Sequence, residues 1–429
     1  MVIGKLTMKN FQKRFSLVVV FLAIAWLPNT QTFAAEHDHQ AMMAKQKKVT
    51  VDNKCNDAEI ACAKTVTSAF APNGDLWRLW VNQDKLIAQI SQDNGTTFSP
   101  HNVLDIPAEK ISARNENRPK IAFDNIGGVY LSWAMAREKK YTADVRFSYS
   151  DDYGKKFTQP ITVNNDNLLA GHSFNEMLVN DNGDVSIVWL DGRLSHQQRK
   201  TGKKSKGSAL YLGQANLRST KNNSAVIFTN QPLANDTCVC CRIAMDFNQQ
   251  GELAIFWRQI YGDNIREFAL LTMGHDEDKP KQPYQISYDH WQINGCPHQG
   301  GAISIDDKNR YHMVWFNQGD VGKGIFYASS VDQGNTLTKP ISVGDFSAQA
   351  SHPHLNKNND NIDIVWTQFN GVEHQLMHQR STNNGESFSY VVVLAKAKNG
   401  ADRPFIIKKG KVSYVSWQRP KQGHWFSAL

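Results

Sequence analysis

The feature that most constrains the fold of this chain is a tryptophan that recurs along most of its length. It stands near the end of short strands in which apolar residues alternate with others, at Trp80, Trp133, Trp189, Trp257, Trp315, Trp366 and Trp417. Successive tryptophans are 51 to 68 residues apart. Because a period of two is typical of a half-buried β-strand, the chain is expected to repeat one strand-rich unit seven times.

Each repeat contains further strands besides the one with the tryptophan. A shorter apolar strand precedes most of them, as at 121–125 and 303–307, and another strand follows, as at 144–148 and 324–328. The unit is an antiparallel meander of three or four strands and about fifty residues, which is the period of a β-propeller blade. The sequence therefore predicts an all-β fold, a single β-propeller of four-stranded antiparallel blades.

Four repeats end their third strand with the same turn motif, S-x-D-x-G or S-x-N-x-G. Its acidic or amide position and its glycine are Asp93 and Gly95, Asp152 and Gly154, Asp332 and Gly334, and Asn383 and Gly385. In a hairpin turn, Asp or Asn can bond backbone amides and Gly can adopt a positive φ. The motif resembles the Asp-box (BNR) repeat of the sialidase-like propeller superfamily, over residues 65–429. The resemblance implies that the boxes are structural and lie at the blade periphery, away from any active site.

The number of blades has two readings. Seven tryptophan strands indicate seven blades, whereas the sialidases that the chain resembles have six, so six remains the alternative. The seventh repeat ends at Trp425-Phe426, one strand short of four. The segment Lys48–Asp52, within an N-terminal region spanning 35–64, is a candidate for the missing strand, because closing the ring removes exposed strand edges.

The first 34 residues are expected to be a signal peptide. A basic region with Lys5 and Arg14 precedes the apolar run 16–27, and small residues around Ala34 offer a cleavage site. The apolar run is short for a membrane span, and no later stretch approaches one, so no span is expected in the mature chain. The protein is expected to be exported, periplasmic or secreted, where disulfides can form.

The charge of the chain argues against a nucleic-acid partner. The formal net charge is +8, but the basic residues are scattered. The one dense basic run, 199–206, contains no aromatic residue and is expected to be a solvated loop. No motif of a nucleic-acid-binding fold accompanies it.

Chemically active residues recur where the first strand of each predicted blade begins. First strands line the central channel of a propeller, so the residues before them crowd one mouth of that channel. These positions hold Asn117-Arg118-Pro119, Asn175-Glu176, Cys240-Cys241-Arg242, Cys296-Pro297-His298-Gln299, Ser351-His352-Pro353-His354 and Asp402-Arg403-Pro404. A register slip of one residue would turn these side chains away.

A metal site is the first interpretation of this mouth. Thiolate and imidazole donors suited to copper or zinc are Cys240, Cys241, Cys296, His298, His352 and His354. Cleavage after Ala34 would also leave Ala35-Glu36-His37 at the N-terminus, where the amine, two amides and the His37 imidazole can chelate Cu(II). The expected cofactor is then a copper or zinc ion.

Structural disulfides are the alternative for the same cysteines. Cys55 and Cys62 are close enough in sequence to form a local staple, and a Cys238–Cys296 bond would tie the fourth blade to the fifth. An adjacent Cys240–Cys241 bond is strained but feasible. A redox role for the cluster is a third possibility.

The resemblance to sialidases implies a glycoside hydrolase as a further interpretation. In that family three arginines hold a carboxylate and a tyrosine activated by a glutamate attacks the sugar. The matching candidates for these roles are Arg118, Arg242, Arg403, Glu176 and Tyr288. The F/Y-R-I-P motif is missing near the start of the propeller, and the family pattern has no Cys-x-Cys-Cys at the mouth.

The leading hypothesis is therefore a mouth that binds a metal ion or a small anionic ligand without hydrolysing sialosides. A module that binds a glycan or a protein tail, without chemistry, remains the last alternative.

Overall fold

The computed structural model of the chain describes residues 59–217, 226–274 and 282–429. The predicted signal peptide, the predicted metal ligand His37, the strand Lys48–Asp52 and Cys55 lie outside the described residues. These predictions, and the Cys55–Cys62 disulfide with them, stay predictions.

The described residues are nearly all β-structure, as the sequence predicts. The strands of the first half are β1 (Val66–Phe70), β2 (Leu76–Asn82), β3 (Lys85–Ser91), β4 (Asn102–Val103), β5 (Lys120–Phe123), β6 (Val129–Ala136), β7 (Ala143–Ser150), β8 (Ile161–Thr162), β9 (His172–Val179), β10 (Asp184–Asp191), β11 (Ser208–Asn216) and β12 (Thr229–Thr237). Those of the second half are β13 (Ala244–Phe247), β14 (Leu253–Tyr261), β15 (Ile265–Met273), β16 (Tyr284–Gln285), β17 (Ala302–Ile305), β18 (Tyr311–Gln318), β19 (Lys323–Ser330), β20 (Ile341–Val343), β21 (Ser351–Asn358), β22 (Asn361–Phe369), β23 (His374–Ser381), β24 (Val392–Ala397), β25 (Phe405–Lys409), β26 (Val412–Arg419) and β27 (Gly423–Ala428).

One α-helix and two short 3-10 turns complete the described elements. The helix α1 is Arg193–Lys200, and the turns are Ile60–Cys62 and Phe346–Ala348. The basic run 199–206, expected to be a loop, therefore begins inside the end of α1. In the described part of the chain, no helix has the length and apolar character needed to cross a membrane.

The strands pair with their sequence neighbours in consecutive antiparallel meanders. Four sheets have four strands each, in the orders β1–β4, β5–β8, β17–β20 and β21–β24. The strands β9–β12 and β13–β16 form two such meanders that one sheet joins, through the pair of Thr237 with Gln259. The last sheet, β25–β27, has three strands among the described residues.

All seven tryptophans lie in the second strand of a meander and are fully buried there. Six of them pack in a core shared with a neighbouring meander, whereas Trp80 packs with Ala63, Val66 and Ile87. Leu79 and Trp133, for example, belong to one cluster from β2 and β6, and Val314 and Trp366 to another from β18 and β22. An indole is large enough to fill the space between two sheets, which explains why the repeat keeps one tryptophan per unit.

The first strands of successive meanders contact one another. Each of β5, β9, β13, β17, β21 and β25 contacts the first strand before it, and β1 contacts β5 and β25. Side chains reinforce the contact between the first and last meanders: Ser68 Oγ lies 3.1 Å from Ser416 Oγ, and Lys409 Nζ donates to Gly74 O at 2.8 Å. The first and last meanders are therefore neighbours.

Residues before β1 also contact the last sheet. Gln418 Nε2 donates to Ile60 O at 2.7 Å and to Ala63 O at 2.9 Å. The segment that leads into the first meander thus binds to the last one, next to the 3-10 turn.

The four S-x-D/N-x-G turns share one hydrogen-bond pattern. In the first of them Gly95 N donates to Ser91 Oγ at 2.8 Å and Thr97 N to Asp93 Oδ1 at 2.8 Å. The other three repeat these bonds or close equivalents. All four glycines have φ between 78° and 93°, where a side chain is strained.

Candidate functional site

The predicted site residues lie at or near the starts of the first strands, but not all at the predicted register. Arg118, Arg242 and Arg403 precede β5, β13 and β25 by two residues. By contrast, Glu176 lies inside β9, and His352 and His354 lie inside β21. Those two strands begin earlier than the sequence predicts.

Both β9 and β21 contain an irregularity in their pairing near the start of the strand. The pairing register shifts between Ser173 and Glu176 in β9, and between Ser351 and His354 in β21, which is the signature of a β-bulge. Each bulge contains a bulky residue with a positive φ, 57° at Phe174 and 56° at His352. Such backbone is uncommon for bulky residues, and strained residues of this kind cluster at active sites and ligand clamps.

Three of the cysteines form a buried cluster at the end of β12. Cys238 N donates to Arg258 O at 2.9 Å, which fixes the start of the segment against β14. Cys238 Sγ lies 2.6 Å from Cys241 Sγ and 3.9 Å from Cys240 Sγ. All three side chains are at most 4% exposed. Cys238 and Cys241 therefore face each other.

A second grouping of donors is nearer the surface. The ligand atoms of Cys240, Cys296 and His298 lie within 4.8 Å of one another. Cys240 is buried, His298 is partly exposed and Cys296 is exposed. His298 has a φ of 52°, a further strained position. Two thiols and an imidazole from two successive meanders thus converge beside solvent.

The pKa values of the four thiols differ because the thiols form hydrogen bonds with one another. Burial alone would raise the pKa of Cys238, but hydrogen bonds from Cys240 and Cys241 and the charge of Arg258 hold it well below the usual value. The hydrogen bond from Cys240 also lowers the pKa of Cys296. As the donor in these bonds, Cys240 has a raised pKa, and burial raises that of Cys241.

The predicted Cys238–Cys296 disulfide is not present in the structure, where both residues are free thiols. The thiol in reach of Cys296 is Cys240 instead. The adjacent pair Cys240–Cys241 is not bonded either. The sequence does contain a signal for the pair that faces each other, since Cys238 and Cys241 have the C-x-x-C spacing, and the sequence reasoning missed it.

A buried glutamate lies among the predicted arginines and histidines. Glu116 Oε2 accepts from Arg242 N at 3.2 Å, and Glu116 Oε1 lies 3.6 Å from both Arg242 Nη1 and His352 Nδ1. Burial favours the neutral acid, but the charges of Arg242 and Arg403 outweigh it and lower the pKa of Glu116. We call Glu116, Arg242, His352 and Arg403 the Glu116 cluster.

Sequence reasoning missed Glu116, although it stands immediately before Asn117-Arg118-Pro119. Within the Glu116 cluster, burial and the charge of Arg403 lower the pKa of His352 to about 3, so its imidazole is neutral. Three buried atoms of the cluster have no hydrogen-bond partner: Glu116 Oε1, His352 Nδ1 and Arg403 Nε. Unpaired buried polar atoms are uncommon and call for a ligand, a water or a functional explanation.

Two of the three predicted arginines donate mainly to the protein itself. Arg118 donates to Val66 O at 3.0 Å and forms an ion pair with Asp402 at 2.9 Å. Arg242 donates to Gly301 O at 2.9 Å and to Pro353 O at 2.8 Å. These guanidinium groups therefore connect several meanders, including ones that do not follow each other in the chain. Arg403 is the one of the three with an unpaired buried nitrogen.

The two residues predicted to form a sialidase nucleophile pair have different surroundings. Glu176 Oε2 accepts from Lys120 Nζ at 2.6 Å. Tyr288 is 62% exposed. The contacts of the described residues therefore do not join Glu176 to Tyr288.

In His354, the last predicted metal ligand, one ring nitrogen already has a hydrogen-bond partner. His354 Nδ1 accepts from Ile406 N at 3.2 Å. Burial, with the charges of Arg242 and Arg118, lowers the pKa of His354, so the ring is neutral. The structure does not bring His354 together with the thiols in a group of possible metal ligands.

A separate group of His172, Asp166 and Asp191 also has metal-ligand character. Both carboxylates already have a cationic partner, because Arg193 Nη2 lies 2.9 Å from both Asp166 Oδ2 and Asp191 Oδ2. His172 Nδ1 in turn lies 2.7 Å from Ala143 O. This group is a structural charge network that ties α1 to β9 and β10.

Comparison with known proteins shows similarity of fold. No protein-family model matches the sequence, and no curated protein matches it either.

Among solved structures, the chain is similar to ulvan lyase, a polysaccharide lyase of a new family, bound to -[GlcA(1-4)Rha3S]-. The sequence identity is 10% and the TM-score is 0.53, over 86% of this chain and 95% of that one. A second structure of ulvan lyase gives 11% identity and the same TM-score, over 87% and 93%. A Hadza microbial sialidase is similar at 12% identity and a TM-score of 0.47, over 82% and 75%. The chain thus has a β-propeller-like fold.

Proposed function

We propose that the chain is an exported protein that binds a soft metal ion, copper or zinc, through Cys240, Cys296 and His298. The observation that carries this proposal is the convergence of these three donor atoms within 4.8 Å beside solvent. Two thiolates and an imidazole are a donor set that both Cu(I) and Zn²⁺ accept. Since Cys296 is exposed, the ion can enter from solvent.

The other predicted ligands have different roles in this proposal. Cys241 faces Cys238 and not the open side, and His354 already accepts a backbone hydrogen bond. His352 lies against Glu116. The proposed site is therefore three-coordinate in protein ligands, and a solvent molecule or an anionic ligand completes it.

The fold on which the site depends is, in this proposal, a closed ring of seven blades, four of which carry the Asp-box turn. Its support is the repeat of seven buried tryptophans together with the contacts of β1 with both β5 and β25. The ion pair of Arg118 with Asp402 adds a direct link between the second and last meanders. In such a ring the starts of all first strands meet at one mouth.

A second candidate function is the binding of a small anion or a carboxylated glycan at the same mouth. The observation that favours it is Arg403 Nε, a buried donor without a partner, next to the unpaired atoms of Glu116 and His352. We infer that such binding is not hydrolytic, because Glu176 is paired with Lys120 while Tyr288 is 62% exposed.

Metal content of the reduced mature protein tests the metal proposal. After loading with Cu(I) or Zn²⁺ and removal of free metal, the wild type is expected to retain one ion per chain. Cys296→Ser and His298→Gln each remove one ligand and should weaken binding roughly tenfold or more, measured by competition with a chromophoric chelator.

The matched control for these variants is His101→Gln, which changes an exposed histidine and should bind as the wild type does. Equal affinities of all four proteins would contradict the proposal, as would the absence of any bound ion.

A further inference from the structure

The cysteine pair that faces inward has no part in the proposed metal site. Cys238 and Cys241 have the C-x-x-C spacing, and their Sγ atoms are 2.6 Å apart. Both side chains are at most 2% exposed. A bond between the two sulfurs requires only a small movement of either side chain, so the pair is placed for oxidation to a disulfide.

A chain of sulfurs connects this buried pair with solvent. Cys240 Sγ lies 3.9 Å from Cys238 Sγ on one side, and on the other side it lies within 4.8 Å of Cys296 Sγ. Cys240 is 4% exposed, whereas Cys296 is exposed. An external molecule can therefore reach Cys296 but not the other three thiols.

We propose that Cys238 and Cys241 are a redox-active dithiol that exchanges with low-molecular-weight disulfides, and that Cys296 and Cys240 relay the exchange to this buried pair. Thiol–disulfide exchange needs a sulfur nucleophile adjacent to a disulfide sulfur at every step. The order Cys296, Cys240, Cys238, Cys241 supplies such a neighbour each time.

The exchange balances without any other reactant. Cys296 attacks one sulfur of an external disulfide, whose S–S bond breaks and releases one thiolate. Cys240 then attacks Cys296 Sγ and releases the second thiolate. Cys238 attacks Cys240 and frees Cys296, and Cys241 attacks Cys238 and frees Cys240. One external disulfide becomes two thiols, which take up the two protons and two electrons that Cys238 and Cys241 lose.

Timed oxidation of the reduced, metal-free mature protein by oxidised glutathione tests the relay. Samples are quenched with acid, alkylated and digested with trypsin. A Cys238–Cys241 bond stays within the peptide 222–242, whereas any bond to Cys296 joins that peptide to 282–308. The wild type is expected to end with the internal Cys238–Cys241 bond and with Cys240 and Cys296 alkylated.

Cys296→Ser is the decisive variant, because it changes an exposed side chain outside the packed core. Its rate of oxidation should fall at least about tenfold, as external disulfide no longer has a reachable thiol, while the final Cys238–Cys241 bond is unchanged. The control Val239→Ala alters an exposed residue of the same segment and should react at the wild-type rate. An unchanged rate in Cys296→Ser, or a final bond to Cys296, would overturn the relay.

A second variant separates this inference from the metal proposal. Cys241→Ala removes the last thiol of the relay, so oxidation should stop with Cys240 bonded to Cys296 or to Cys238, but it leaves Cys240, Cys296 and His298 in place to bind an ion. Loss of metal binding in Cys241→Ala would mean that the four cysteines act as one metal cluster, and it would also overturn the relay.

Discussion

Glu116 lies beside an arginine and a histidine that come from two other meanders. It precedes β5 in the chain, yet its carboxylate faces Arg242 near β13 and His352 in β21. A buried carboxylate of this kind compensates arginines that would otherwise be unpaired in a medium of low dielectric constant. It therefore fixes the positions of the groups around the proposed site.

Replacing this carboxylate should destabilise the protein. Glu116→Gln leaves the charge of Arg242 and Arg403 without compensation, and we expect the free energy of unfolding to fall by about 3 kcal/mol at pH 7. Denaturant unfolding measures the change, with the exposed Glu138→Gln as control. A loss no larger than that of the control would contradict this role of Glu116.

The same variant has a predicted pH dependence. The pKa of Glu116 is lower in the folded state than in the unfolded state, so its contribution to stability is fully present above about pH 4.3 and is lost as the pH falls further. The difference in unfolding free energy between wild type and Glu116→Gln should shrink below that pH. A difference that grows on acidification would show that Glu116 is protonated at neutral pH.

At the scale of elements, the sequence predicts strands well and the directions of side chains less well. Each tryptophan strand is present because burial and alternation act over seven or more residues. The bulges at Phe174 and His352 depend on a single extra residue in β9 and β21. No sequence pattern predicts these bulges. Each bulge reverses the alternation of side chains between the two faces of the strand, on which a site prediction depends.

The turn motifs offer a test of the packing of these elements. Gly334 and Gly371 both have a φ of 93°, but a Cβ on Gly334 would lie 2.7 Å from Leu270 Cδ2, whereas on Gly371 it would meet nothing within 4 Å. Gly371→Ala should therefore lower the free energy of unfolding by about 1 kcal/mol, through backbone strain alone. Gly334→Ala should lower the free energy of unfolding by at least about 1 kcal/mol more than Gly371→Ala does, since overpacking adds to the backbone strain.

Thermal or denaturant unfolding of the two variants checks this difference. Because both positions have the same φ, the comparison isolates the contact of Gly334 with the neighbouring meander. Equal losses of stability would mean that the S-x-D-x-G turn does not pack against that meander as the structure has it.

At the scale of the whole molecule, the period of the tryptophans carries most of the information about the fold. A unit of about fifty residues with one buried indole can stack only against its neighbours, and the first strands do contact one another in order. The site is less predictable, since Cys240 and Cys296 come from different meanders. Only the fold decides that Cys240, and not Cys238, is the neighbour of Cys296.

The most direct test of the central claim is X-ray absorption spectroscopy of the reduced mature protein loaded with one equivalent of Cu(I) or Zn²⁺. The account predicts a first shell with two sulfur atoms at about 2.3 Å and one imidazole nitrogen at about 2.0 Å, from Cys240, Cys296 and His298. A shell without sulfur would contradict a metal site at these thiols. A shell of four sulfurs would place Cys238 and Cys241 on the metal and contradict the separation of the two cysteine pairs.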